Sequence, residues 1–191
     1  MVFNSWAFVP FFILSLAVYY SLRNWRLQKA SLLGASYLFY GFFPPPYILI
    51  LVVSTLIDFN LSKWIARSEG RRRKLLFIAS LISNLGMLAY FKYAEFALTN
   101  FNAAISEFGI SMELPVWDII LPVGISYYTF QTLSYTIDVY RKKLKPSDSI
   151  LDFAFFVAFF PQLVAGPIVR AFDFMPQTQE SQRSIFAPRQ F

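Results

Sequence analysis

Six apolar stretches divide residues 1–165 and leave this chain few ways to fold. They run over 6–22, 30–43, 47–65, 75–91, 122–139 and 151–165. A helix needs about 20 apolar residues to cross a 30 Å hydrocarbon layer, so the second and last are short for a full crossing. Only 15% of residues are charged and 57% are hydrophobic, whereas soluble domains carry about 25% charged residues. There is too little polar surface to coat a globule, so the outer faces must meet lipid. The expected fold class is all-α, a polytopic helical membrane protein of about six transmembrane or re-entrant helices.

The connections alternate in charge. The first holds Arg23, Arg26 and Lys29, the third Lys63, Arg67, Arg71, Arg72, Arg73 and Lys74, and the fifth Arg141, Lys142, Lys143 and Lys145. The second, 43–47, is uncharged, and its three prolines suit a stiff reversal because proline cannot continue a helix. The fourth carries Glu95, Glu107, Glu113 and Asp118. Cationic loops stay in the cytoplasm, which predicts an N-terminus outside and six crossings that return the chain outside. The net charge of +6 is then a topology signal with some attraction to anionic headgroups. Membrane lipid is the expected partner and nucleic acid is not. The opening Met1-Val2-Phe3-Asn4-Ser5 has no basic region, and no small-residue cleavage pattern follows, so the first stretch is expected to remain as a span. In the fourth connection Leu98, Phe101, Ile105 and Phe108 fall at 3-4-3 spacing before Gly109. That fits a helix lying at the interface or one packed on the membrane domain.

The chain has no histidine and no cysteine. Disulfides, thiol nucleophiles and cysteine metal sites are thereby excluded within it, and no metal ligand set is expected. There is no phosphate-cradling glycine loop, dinucleotide fingerprint or nucleophile elbow. Asp58 is expected to meet Lys63 or a neighbouring helix, and Asp138 to pair with Arg141 three residues on.

Chemistry concentrates in two segments. On a helix over 122–139, Gly124, Tyr127, Gln131, Ser134, Tyr135 and Asp138 share one face at spacings of three, four and seven. Phe130, Leu133 and Ile137 line another, assigned to lipid. Small and hydroxyl residues also join helices in membranes, so Tyr127, Ser134 and Tyr135 suit packing and substrate contact alike, while Gln131 leans toward function. Next, Ser149 with Asp152 resembles a capping box that opens a helix. From 150 to 160 that helix reaches only about 16 Å. Pro161 interrupts it there, and Gly166-Pro167 interrupts it again. Broken backbone at membrane depth is tolerated where it is buried in protein or lines a cavity. The candidate substrate path is therefore Tyr127, Gln131, Ser134, Gln162, Gly166 and Arg170, with an ordinary proline-kinked helix as the simpler alternative for the break.

These stretches resemble the membrane-bound O-acyltransferase family in its bacterial alginate O-acetyltransferase branch. The likeness rests on the opening Met1 to Ser5, on Tyr90-Phe91-Lys92-Tyr93, on LPVGISYYTFQTLSYTIDVYR and on FFPQLVAGPIVR. It implies a multi-pass enzyme of the bacterial inner membrane that moves acetyl toward an extracytoplasmic, alginate-like polysaccharide. The acetyl donor would be acetyl-CoA or a derivative, with no bound cofactor, and a periplasmic acetyltransferase would be a partner. In the family an essential histidine lies downstream of FFPQLVAGPIVR, in a region this chain does not contain. No catalytic residue carries over. The expectation is that 1–170 forms the N-terminal portion of such a membrane domain and 171–191 a polar tail toward a missing C-terminal half. Alone, the chain is expected to be inactive. Two other readings stay open, a transporter or flippase fragment and a non-catalytic membrane subunit.

Overall fold

The computed structural model describes residues 5–42, 46–108, 114–115, 121–166 and 169–179, without the side chains of Val164 and Ala165. The described residues are all-helical. The elements are α1 (Phe8–Ser21), α2 (Trp25–Tyr40), α3 (Pro46–Arg67), α4 (Gly70–Glu107), α5 (Ile125–Tyr140), α6 (Ile150–Ala158), α7 (Phe160–Ala165) and α8 (Ala171–Gln179). Two of them, α3 with 22 residues and α4 with 38, are long and apolar enough to cross a membrane. The uncharged second connection lies mostly outside the described residues, as do Gly109, Glu113 and Asp118.

Local chemistry sets the boundaries. Asn24 caps α2, its Oδ1 accepting from the Arg26 N–H at 2.8 Å. Gln28 Nε2 donates back to the carbonyls of Leu22 and Tyr19 at 2.8 and 3.2 Å. It thus satisfies groups that the end of α1 leaves open. Ser149 Oγ accepts from the Asp152 N–H at 3.3 Å and opens α6 as the capping pattern predicts. Gly124 precedes α5 at φ +78, and a Cβ there would stand 3.0 Å from the Leu163 carbonyl oxygen. A left-handed turn pressed against another backbone requires glycine.

Helix α4 corrects one expectation. No separate element follows its apolar run; one helix continues through Leu98, Phe101 and Ile105 to Glu107. Nothing between Phe91 and Glu107 breaks a helix, since that stretch holds neither glycine nor proline. At 1.5 Å per residue α4 is about 57 Å long. Beyond its end, Asn102 holds the returning chain by both backbone groups of Leu114, donating to its carbonyl at 2.8 Å and accepting from its N–H at 3.0 Å.

The three basic connections meet at one end of the bundle. Lys29 on α2 forms a buried ion pair with Asp152 on α6. Lys63 donates to the Asp148 carbonyl at 3.3 Å. Arg73 Nη2 reaches the carbonyls of Tyr140 and Val139, at 2.6 and 3.3 Å, and closes the C-terminus of α5. At the opposite end the Tyr40 hydroxyl donates to the Val123 carbonyl. There too Gly124 meets Leu163, and Phe8 and Phe11 stack against Phe39 and Phe160. Alternate loops therefore share an end, as the charge pattern requires. Lys29 does more than mark topology, because it is a buried structural cation.

The core lies where α5 is enclosed by α3, α4, α6 and α8. Enclosure overturns the lipid-facing assignment of Leu133, which is buried at 6% exposure, whereas Phe130 is 47% exposed. Asp138 and Arg141 form no ion pair. The Asp138 carbonyl instead takes the N–H groups of Lys143 and Leu144 at the helix end. Asp58 meets a neighbouring helix, as expected. Its Oδ1 accepts from Asn84 Nδ2 at 2.7 Å and Ser80 Oγ at 3.1 Å, both on α4.

Candidate functional site: the α5 face and the broken helix

The break in the α6–α7 segment falls at Phe159, with ψ 108, and not at Pro161. Pro161 occupies the first turn of α7, where its missing N–H leaves nothing unpaired. Breaking the helix frees backbone groups that hydrocarbon cannot satisfy, and neighbouring helices supply the partners. Gln131 Nε2 on α5 donates to the Phe156 carbonyl at 2.7 Å. Ser36 Oγ on α2 accepts from the Phe160 N–H at 3.2 Å. The broken backbone is thus held by protein side chains.

The structure places the six candidate path residues as follows. Gln131 is fully buried and one end of its amide holds α6; its Oε1 has no partner among the described residues. The Tyr127 hydroxyl meets the backbone of Val169. Ser134 is half-buried and returns its hydroxyl to the Gln131 carbonyl at 2.8 Å, within its own helix. Gln162 stands on α7 with its Oε1 buried and unpartnered among the described residues. Gly166 ends α7, its N–H bonded to the Gln162 carbonyl at 3.1 Å. A Cβ there would come within 2.7 Å of Gln162 Cα, so the chain turns where only glycine fits. Arg170 is exposed and its carbonyl starts α8, accepting from Asp173 at 3.0 Å and Phe174 at 3.1 Å.

The first half of α5 therefore faces α6, α7 and residue 169, bringing together the two segments the sequence singled out. Ser134 alone of the six bonds only within its helix. The residues 171–179 of the expected tail form α8, in which Ala171, Met175 and Thr178 are buried. Sequence reasoning missed Ser36, Lys29 and Asp152, and also a polar chain in which Thr132 Oγ1 donates to Asn84 Oδ1 at 2.9 Å beside Asp58. Ser80 and Asn84, four apart in an apolar run, were a signal for it.

Chemically this region offers amides, hydroxyls and backbone groups that can hold a polar ligand. No group of three metal-ligating side chains occurs among the described residues. Nucleophile and general base are not paired here either, and histidine is missing from the sequence.

These features define a helical membrane-type bundle with a polar wall built on a broken helix. The chain is 36% identical over 187 residues to the probable alginate O-acetylase of Pseudomonas aeruginosa, a match covering 97% of the chain and 36% of that protein. It is 37% identical over 182 residues to the one from Azotobacter vinelandii, covering 93% and 36%. It is also 33% identical over 183 residues to the peptidoglycan O-acetyltransferase of Helicobacter pylori, covering 83% and 34%. The chain spans about a third of the length of the curated relatives it matches. No family model matches it, and no solved structure does so significantly. By this likeness the chain belongs to the membrane-bound O-acyltransferase family, in its alginate O-acetyltransferase branch.

Proposed function

We propose that this chain forms the wall-bearing part of a membrane O-acetyltransferase that transfers acetyl toward an extracytoplasmic, alginate-like polysaccharide, and that it is inactive alone. The observation that carries this is the polar wall itself. In a bundle otherwise lined by apolar side chains, Gln131 and Gln162 each keep a buried carbonyl oxygen without a partner, and an unpaired polar atom in such surroundings costs free energy unless a ligand or water completes it. A hydroxyl-bearing acceptor supplies that donor. General-base help to the attacking hydroxyl would come from a histidine that this sequence lacks.

The membrane placement belongs to the same reading. The basic end lies in the cytoplasm of a bacterial inner membrane, the N-terminus lies outside, and six passes run through α1, α2, α3, α4, α5 and the α6–α7 pair. The names of the relatives support the reaction class, and the shared end of the three basic connections supports the orientation. Acetyl-CoA or a derivative is the donor, and a periplasmic acetyltransferase is the partner.

A chimera tests the reading. The chain replaces its matching stretch in the Pseudomonas relative, in cells lacking their own O-acetylase, and the acetyl content of the polymer is measured. The chimera acetylates and the chain alone does not. Gln162→Ala in the chimera loses a hydrogen bond of about 1–1.4 kcal/mol and slows transfer about 5- to 10-fold, while the exposed-face control Phe130→Ala changes little. Equal effects of the two variants at equal protein level would refute the role of the wall.

A further inference from the structure

Residues 150–179 leave and rejoin the same end of the bundle. Asp152, in the first turn of α6, pairs with Lys29. Thr178, near the end of α8, gives its carbonyl to Lys29 Nζ at 3.0 Å and to Trp25 Nε1 at 2.7 Å. Between these anchors the chain climbs to Leu163, against Gly124 at the opposite end. It then descends past Val169, which meets Tyr127. In the placement proposed above, α8 therefore lies at membrane depth.

The two faces of α8 differ. Ala171, Met175 and Thr178 are buried against the bundle, while Arg170, Asp173 and Gln177, at i, i+3 and i+7, form an exposed row. No ion pair joins Arg170 to Asp173. A charged side chain turned to hydrocarbon is among the costliest placements open to a helix. Two cavities flank the basic end of α8. One of about 220 Å³ touches Gln177 and Thr178, and one of about 330 Å³ touches Met175, Pro176 and Asp152.

We propose that α8 is the returning arm of a re-entrant hairpin, and that Arg170, Asp173 and Gln177 line a water-filled path open at the basic end and leading toward Gln162. A wall bearing a base, an acid and an amide admits water and small charged solutes. The inference rests on the membrane placement in the proposed function but not on acetyl transfer, so its test reads access and not activity.

The sequence has no cysteine, so every thiol in a single-cysteine variant is the introduced one. The whole chain is placed in membrane vesicles of known orientation and treated with a charged, membrane-impermeant thiol reagent. Asp173→Cys and Gln177→Cys are labelled from the face that labels Arg71→Cys, opposite to the face that labels Glu95→Cys. Ile82→Cys, on an exposed apolar face of α4, resists from both. Resistance of the two α8 variants equal to that of Ile82→Cys overturns the path, as does labelling only from the Glu95 face. Labelling of Arg71→Cys and Glu95→Cys from one common face sinks the membrane placement itself, and the path with it.

Discussion

Lys29 and Asp152 stand 123 positions apart in sequence and form a buried ion pair that ties the start of α2 to the start of α6. The Thr178 carbonyl completes the shell of the ammonium group. Removing one partner from a buried pair strands the other charge, at a cost of about 3–5 kcal/mol. Lys29→Ala or Asp152→Ala therefore lowers the melting temperature of the detergent-solubilised chain sharply. Replacing both at once with apolar residues of similar volume recovers much of the loss, because no lone charge remains. A double variant as unstable as the worse single one would show that the pair matters for something other than charge burial.

Glycine to alanine changes at two positions should differ in sign. Gly124→Ala imposes a left-handed conformation on an L side chain, about 1–2 kcal/mol, and drives its Cβ toward Leu163. Gly86 lies inside α4 with nothing within 4 Å of an added Cβ, so Gly86→Ala gains about 0.5–1 kcal/mol from helix propensity. Thermal unfolding of the two variants beside the parent chain measures the difference.

Gln131→Leu leaves the Phe156 carbonyl without its donor. The loss is about 1–3 kcal/mol for an unsatisfied buried group, read as lower thermal stability. In the chimera described above, acetylation by Gln131→Leu falls in step with folded protein, whereas Gln162→Ala lowers turnover per folded molecule.

Asn84 ought to matter more than Ser80. Its amide donates to Asp58 Oδ1 and to the Ser80 carbonyl and accepts from Thr132, joining three helices. Ser80 contributes one side-chain bond, at 3.1 Å. At about 0.6–2 kcal/mol per interhelical hydrogen bond, Asn84→Ala destabilises clearly more than Ser80→Ala in denaturant or thermal unfolding.

Much of the architecture was legible because it follows from local rules. Ser149 opens α6 through its side chain, Asp58 finds donors on the next helix, and loops that share a charge share an end. What stayed hidden depends on neighbours distant in sequence. Nothing in the spacing of Lys29 and Asp152 announces their contact. The wheel that turned Leu133 toward lipid assumed one protein neighbour for α5, whereas helices enclose it on several sides. The break moved from Pro161 to Phe159 because proline is welcome in a first turn, so the chain restarts ahead of it. Within the candidate path, Gln131 was recognisable as unusual by its polarity. That half of its amide secures a backbone carbonyl 25 positions away could not be inferred without the fold.

Ser36 and Lys29, seven residues apart along α2, fasten to Phe160 and Asp152, eight apart along α6. One fastener would leave a pivot; two make a rigid plank of the paired helices. Any swing of the hairpin is thereby confined to the joint beyond Phe160, so that α7 and α8 can rearrange while α6 keeps its register.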